Sequence, residues 1–165
     1  MTPDAKLDQM LEHNERFTEV FDRAKLTAAP RRGLAILTCM DARIDLGGAL
    51  GLAVGDAHVI RNAAGLATED AIRSLAVSQQ LLGTRQILVI AHTRCGLHGA
   101  DEADLRVRMA ASTGQDTTMA FGAFDDLDGM VREQLQILRS EPRLLHTPVD
   151  GLVYEVDTGR LRPIL

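Results

Sequence analysis

The 165-residue chain has no tryptophan, and aromatic side chains make up only 3% of it. Leucine, valine, isoleucine and alanine must therefore fill the core, and the 45% apolar content is enough for an ordinary globular chain. The chain also lacks an excess of positive charge, because 18 basic against 23 acidic residues leave a net charge of -5. Nucleic-acid binding needs a basic face, so the composition argues against that class of function.

The sequence also lacks long apolar runs and an export signal. No run approaches the roughly 20 residues of a membrane span. Residues 1–4 lack the basic-then-apolar order of a signal peptide. We therefore expect a cytoplasmic protein without a membrane segment. In that setting the two cysteines, Cys39 and Cys95, are expected to be reduced thiols and not a structural disulfide.

Two short apolar runs end in side chains that bind metals. Residues 33–37 predict a buried strand that leads to Cys39, and residues 86–91 predict another that leads to His92 and Cys95. Parallel strands in one sheet would bring these ends to the same crevice, where open α/β sheets place their ligands. Two thiolates and one imidazole are three ligands, the number typical of a catalytic zinc site with an open fourth position.

Other interpretations of these residues are possible. Each cysteine taken alone is as readily a buried free thiol, since free cysteine is among the most buried residue types. Their placement at predicted strand ends, close to histidine, favours the metal site. His58 lies within a predicted strand and is interpreted as a packed or surface residue. His98 could relay protons near Cys95, but an exposed loop histidine is the simpler interpretation.

The rest of the pattern predicts one α/β domain over residues 1–165, with a largely parallel sheet and right-handed crossovers. Apolar spacing and turn signals predict further strands at 56–61 and 152–156, a short pairing partner at 161–165, and helices at 3–26, 46–52, 68–82, 105–111 and 124–139. The first helix has nothing upstream to pack on. It must lie on its own sheet or on another subunit.

Three motifs follow one another along the chain: Cys39-x-Asp41-x-Arg43, Arg61-Asn62-Ala63-Ala64-Gly65 and His92-x-x-Cys95-Gly96. The first and the third motif are each weak evidence alone. Both in order at predicted strand ends, with the second motif between them, closely resemble the β-class carbonic anhydrases, in particular the compact bacterial members. The match is good over residues 34–97 and looser at both ends.

The resemblance implies a four-stranded parallel core sheet with a fifth strand at the edge, flanked by helices. It also implies a homodimer, or a tetramer, whose long amino-terminal helices are swapped onto the partner subunit. Cys39, His92 and Cys95 would bind Zn²⁺, and zinc-bound hydroxide would hydrate CO₂ reversibly to bicarbonate. Asp41 and Arg43 would form the catalytic dyad that decides between water and the aspartate as fourth zinc ligand.

Two other functions stay open at this point. The same scaffold and ligands occur in hydrolases of carbonyl sulfide or carbon disulfide, whose substrate choice depends on the shape of the pocket. A non-enzymatic zinc or thiol-redox protein is disfavoured, because a structural zinc site would supply a fourth protein ligand and would not need Asp41 and Arg43. That pair taken alone could equally be a surface ion pair.

Two residues depart from the family pattern. Arg94 stands where members often carry a small or acidic residue, and we expect its side chain to point to solvent. Leu97 stands where many members have glycine. Neither change removes a predicted ligand.

Overall fold

The computed structural model describes residues 3–165, with side chains from residue 5 onward. Its strands are β1 (Leu34–Cys39), β2 (Ala57–Asn62), β3 (Gln86–His92), β4 (Val149–Tyr154) and β5 (Leu161–Ile164). They form one sheet in the order β2-β1-β3-β4-β5, in which the first four strands are parallel and β5 is antiparallel to β4. The predicted four-stranded parallel core with a fifth edge strand is confirmed.

The helices are α1 (Pro3–Thr18), α2 (Leu46–Leu50), α3 (Glu69–Leu82), α4 (Glu102–Thr113) and α5 (Leu127–Ser140), with a 3₁₀ turn at Ala63–Gly65. The boundaries predicted for α3 are confirmed. The Thr68 side chain accepts a hydrogen bond from the backbone N–H of Ala71, and Gly83 ends the helix in the left-handed conformation. Over residues 3–165, no helix combines the length and apolar character needed to cross a bilayer.

The core lies on both faces of the sheet, and β1 contributes to each. All six residues of β1 are buried, as expected for a central parallel strand covered on both sides. Ala35 and Leu37 join the cluster that includes α3 and α5, whereas Leu34 and Ile36 join the cluster that contains both cysteines. This alternation follows from the two-residue period of a strand. The cysteine cluster therefore belongs to the packed core.

The helix predicted over residues 3–26 is shorter than expected, because α1 ends at Thr18. The Thr18 hydroxyl donates to the Glu15 carbonyl, and the following residues form turns in which the Phe17 and Phe21 rings meet edge to face. Apolar spacing continues past the helix end, so periodicity alone could not locate it. Every side chain from residue 6 to residue 29 is exposed, which leaves the apolar side chains of α1 uncovered.

Three further elements start three residues away from the predicted position. Helix α4 starts three residues early, because the Asp101 carboxylate accepts hydrogen bonds from the backbone N–H groups of Ala103 and Asp104. Helix α5 starts late, because Phe124 is held in a bridge to His98. Strand β4 covers Val149–Tyr154 and not 152–156, because its pairing with β3 begins at Val149.

Candidate metal centre

Cys39, His92 and Cys95 come together at the carboxyl end of the sheet. Cys39 is the last residue of β1, His92 is the last residue of the adjacent parallel strand β3, and Cys95 lies in the turn that follows. All three side chains are buried, and their potential ligand atoms lie within 4.8 Å of one another. The convergence expected from the sequence is therefore present in the structure.

The His92 imidazole is prepared for a metal. Its Nδ1 lies 3.0 Å from the Thr93 carbonyl oxygen, which can only accept, so Nδ1 carries the proton and Nε2 holds a free lone pair. The residue is 1% exposed, and its Nε2 is a buried polar atom without a hydrogen-bond partner among the described residues. Burial lowers the pKa of His92, which keeps the ring neutral. An unpartnered buried nitrogen of this kind fits a metal ligand.

The two thiols complete a donor set that suits zinc. Burial raises the pKa of the Cys95 thiol, and the nearby Cys39 sulfur raises it further. A pair of buried thiolates is unfavourable without a cation to neutralise them. A donor set of two sulfurs and one imidazole nitrogen favours Zn²⁺ over hard cations such as Mg²⁺. Because the metal displaces thiol protons, its affinity should fall as the pH falls.

Asp41 and Arg43 form a bidentate ion pair at the mouth of this cluster. Arg43 donates from Nε to Asp41 Oδ1 at 2.9 Å and from Nη2 to Oδ2 at 2.7 Å, while its backbone N–H donates to Oδ1 at 2.9 Å. These bonds hold the pKa of Asp41 far below its usual range. Asp41 Oδ2 lies only 3.8 Å from Nε2 of His92. The carboxylate is thus fixed next to the unpartnered nitrogen.

Arg43 also connects the two turns that carry the cysteines. Its Nη2 donates to the Arg94 carbonyl oxygen at 3.0 Å, in addition to its bond to Asp41. One guanidinium therefore fixes the Cys39 turn relative to the Cys95 turn. An ordinary surface ion pair would not make such a cross-link.

Arg61 is a site residue that sequence reasoning missed, since the motif that contains it carries no role for its side chain. In the structure its Nε donates to the Cys39 carbonyl at 2.9 Å and its Nη2 to the Asp41 carbonyl at 2.7 Å. The register of the sheet places Arg61 beside this turn, because it pairs Arg61 on β2 with Thr38 on β1. Arg61 fixes the backbone on both sides of Met40.

Arg94 is more constrained than the sequence suggests. Its side chain is 60% exposed, as expected, but it also forms an ion pair with Asp157 in the turn after β4. Its backbone adopts a left-handed conformation with φ of 54°. Next to it, the Thr93 N–H donates to the Tyr154 carbonyl at 3.0 Å, and the Thr93 hydroxyl accepts from the Val156 N–H at 3.1 Å. The turn between the ligands is therefore fastened to the end of β4.

The other two histidines considered above lie outside the cluster. His58 bonds through Nδ1 to the Ser78 hydroxyl and through Nε2 to the Ala28 carbonyl. His98 stacks on the Phe124 ring, with centroids 5.2 Å apart, and its Nε2 bonds to the Asp125 carbonyl. His58 is partly buried and His98 is exposed, which agrees with the interpretation of each residue from the sequence.

A small cavity opens onto the metal cluster. Its volume is about 210 Å³. It is lined by Cys39, Met40, Asp41, Ala63, Ala64, Cys95, Gly96 and Leu97. Apart from the Asp41 carboxylate and the thiols, these side chains are apolar or absent. The space suits a small, neutral, weakly polar molecule.

A larger cavity of about 720 Å³ lies elsewhere, along residues 138–150. It adjoins the amino end of β4, whereas open α/β sheets bind their ligands at the carboxyl ends of the strands. The described residues place no cluster of metal-ligating side chains there. The small cavity is therefore the better candidate for chemistry.

Gly65 allows the second motif to approach the first ligand closely. Its φ is +73°, and a Cβ atom there would lie 2.9 Å from the Thr38 carbonyl carbon and 3.0 Å from the Cys39 nitrogen. Both contacts are with backbone, which cannot rotate away. We expect Gly65→Ala to lower the free energy of unfolding by about 2–5 kcal/mol, through left-handed strain together with overpacking. Urea denaturation measures this loss.

Gly83→Ala is the matched control for this substitution. Gly83 has φ of +78°, but a Cβ atom added there would meet nothing within 4 Å beyond its chain neighbours, so only the backbone strain applies. It should cost about 1–2 kcal/mol. Equal losses in the two variants would show that close packing against Cys39 contributes nothing.

A parallel α/β sheet with a buried Cys–His–Cys cluster at its carboxyl end defines the class of protein. A sequence profile of the carbonic anhydrase family matches residues 34–112. The β-carbonic anhydrase 1 of Mycobacterium tuberculosis is 38% identical over 158 residues, which cover 95% of this chain and 96% of that protein. The chain belongs to the β-carbonic anhydrase family, whose enzymes are lyases.

Two more relatives indicate the range of the family. The crystal structure of carbonic anhydrase from Streptococcus mutans superposes with a TM-score of 0.91 and 37% identity, covering 96% of this chain and 97% of that one. A carbon disulfide hydrolase of Acidithiobacillus thiooxidans is 34% identical over 163 residues, covering 86% of this chain and 81% of that protein. The family therefore includes relatives named for two different substrates.

Proposed function

We propose that this protein is a zinc-dependent carbonic anhydrase that interconverts CO₂ and bicarbonate, with residues 1–165 forming one domain. Cys39, His92 and Cys95 would hold the metal, and Asp41 and Arg43 would be the catalytic dyad. The observation that carries the proposal is the unpartnered, buried Nε2 of His92, which lies among two thiols and 3.8 Å from the Asp41 carboxylate.

The chemistry divides between the metal and the chain. Zinc held by Cys39, His92 and Cys95 would supply the Lewis acidity that makes water a usable nucleophile at neutral pH. The Asp41 carboxylate, ionised by its pairing with Arg43, would accept a hydrogen bond from the attacking water and orient it. The apolar wall of the cavity, which includes Ala64 and Leu97, holds CO₂ without competing hydrogen bonds. Arg43 keeps the carboxylate in place through the reaction.

Hydrolysis of carbon disulfide or carbonyl sulfide is the second candidate. The relatives named carbon disulfide hydrolase and the apolar cavity lining both favour keeping it. Those substrates are also small, linear and weakly polar, so the same cavity would admit them.

Parallel assays on the zinc-loaded protein separate the two reactions. Stopped-flow indicator measurements should give CO₂ hydration well above the buffer rate, and sulfide release from COS and CS₂ should show a lower kcat/KM. Sulfide release without catalysed CO₂ hydration would overturn the proposal in favour of the second candidate.

We also propose that the protein is a homodimer in which α1 packs on the partner subunit. The reason is the row of exposed apolar side chains on α1 and the turn after it, which includes Leu7, Met10 and Val20 at 57%, 67% and 74% exposure. A monomer would leave this surface in water, and contiguous exposed apolar surface marks an interaction site. A second copy of the chain would cover it.

Deleting residues 1–26 is expected to give insoluble or inactive protein, since the surface that receives α1 would be uncovered. A soluble, active monomer after the deletion would contradict the proposal.

Leu11→Glu should weaken the dimer by at least about 10-fold in Kd, because it buries a charge. Sedimentation equilibrium measures this change, and Glu12→Gln on the same helix serves as the control.

A further inference from the structure

Glu102, the first residue of α4, binds the backbone of a loop that is distant in sequence. Its carboxylate accepts hydrogen bonds from Gly122 N–H at 2.8 Å, Ala123 N–H at 3.0 Å and Phe121 N–H at 3.1 Å. No sequence motif predicts this contact, which spans about 20 residues. Three backbone donors on one carboxylate form a charge-assisted anchor.

Arg106 completes the anchor one turn along α4. Its Nη2 donates to Glu102 Oε2 at 2.9 Å, and its Nε donates to the Met119 carbonyl at 3.1 Å. Within the segment 119–123, Arg106 therefore holds the first residue and Glu102 holds the last three. The backbone donors, with Ala123 first, lower the pKa of Glu102, so the carboxylate stays ionised at neutral pH.

The anchored segment leads directly to Phe124, which binds the backbone of Leu97 in the wall of the cavity. Phe124 N–H donates to the Leu97 carbonyl at 3.1 Å, and Gly99 N–H donates to the Phe124 carbonyl at 2.8 Å. The Phe124 ring stacks on His98 and packs against both core clusters. Leu97 in turn lines the cavity beside Cys95. A continuous set of contacts thus connects Glu102 to the cavity wall at Leu97.

We infer that Glu102 is a positioning residue for the reaction, because it fixes residues 121–123 and through them Phe124, whose backbone N–H holds Leu97 in the cavity wall. This role depends on the function proposed above. Glu102 does not line the cavity and is not part of the metal cluster. Glu102 would therefore affect the position of the substrate. Its substitution should leave the metal ligands and the Asp41–Arg43 pair unchanged.

Glu102→Gln tests this role with little change in shape. The amide keeps one acceptor oxygen, but it loses the charge and turns an NH₂ group toward backbone N–H groups. Amide hydrogen exchange at residues 121–123 should become about 10-fold faster or more. The KM for CO₂ should rise about 3- to 10-fold, while kcat and zinc content stay near wild type.

Asp104→Asn is the matched control on the same helix. Asp104 also pairs with an arginine four residues on, Arg108, but the described hydrogen bonds of its carboxylate include no backbone N–H of the loop. Its exchange rates and KM should match the wild type.

The KM ratio between Glu102→Gln and wild type should be constant from pH 6 to pH 9, because the lowered pKa keeps Glu102 ionised throughout.

The outcomes are separable. Unchanged exchange at residues 121–123 in Glu102→Gln would overturn the anchor, and faster exchange with unchanged KM would overturn its role in the reaction. Equal acceleration in β3 would indicate global destabilisation and also contradict the inference. A wild-type protein that does not hydrate CO₂ would refute the proposed function alone, since the exchange measurement does not depend on activity.

Discussion

Cys39→Ser and Cys95→Ser are expected to lose nearly all bound zinc, whereas the wild type should bind about one zinc per chain. A serine hydroxyl stays protonated at neutral pH and is a harder donor than a thiolate. Loss of a direct ligand should cost more than the 10- to 100-fold in affinity that is typical of outer hydrogen-bond partners, so we expect a loss of over about 100-fold. Elemental analysis after dialysis against a chelator measures it.

Ala63→Ser is the control for this experiment. Ala63 lines the same cavity, so the substitution introduces a hydroxyl there without removing a donor. It should retain full zinc. Full occupancy in both cysteine variants would show that the metal, if bound, is held elsewhere, and the assignment of Cys39, His92 and Cys95 would be wrong.

Asp41→Asn should keep its zinc and lose about 100-fold or more in kcat. The amide is nearly the same shape, but it lacks the charge that orients the nucleophilic water. Because the Arg43 side chain holds the pKa of Asp41 far below its usual range, the wild-type carboxylate is ionised at every pH between 6 and 9. The loss in rate should therefore be similar across that range.

Arg43→Ala should also be slow, but for another reason. The substitution removes both side-chain bonds to Asp41 and the bond to the Arg94 carbonyl. Asp41, already 3.8 Å from Nε2 of His92, becomes free to ligate zinc itself and exclude water. A crystal structure of this variant should place a carboxylate oxygen about 2.0–2.2 Å from the metal.

Zinc content and folding serve as controls for both variants, which should match the wild type in each. If Asp41→Asn hydrates CO₂ at the wild-type rate across pH 6 to 9, the dyad is only a surface ion pair. That result would remove Asp41 from the mechanism.

The features that could be predicted from the sequence are those with local signals. Thr68 and Gly83 fix the ends of α3 through hydrogen bonds and a backbone conformation within a few residues. Cys39 and His92 end two apolar runs, and the parallel order of β1 and β3 brings those ends together. The donor cluster therefore followed from strand pairing and the positions of three residues.

The remaining features depend on tertiary contacts that leave no local pattern. The spacing of apolar residues does not predict the end of α1 at Thr18, because apolar residues continue beyond it. Arg61 appears in the sequence as one residue of a motif, and only the fold places its guanidinium on two carbonyls of the Cys39 turn. Glu102 resembles an ordinary acidic residue at a helix start, where the helix dipole favours it. Its contacts with residues 121–123 need the folded loop.

Zinc titration into the metal-free protein, followed by CO₂ hydration in the stopped flow, tests the central claim most directly. The rate should rise in proportion to added zinc and level off at about one zinc per chain. Cys39→Ser should show no rise over the same titration. A hydration rate that stays at the buffer value when the wild type holds its full zinc, or that is already maximal before zinc is added, would contradict the account.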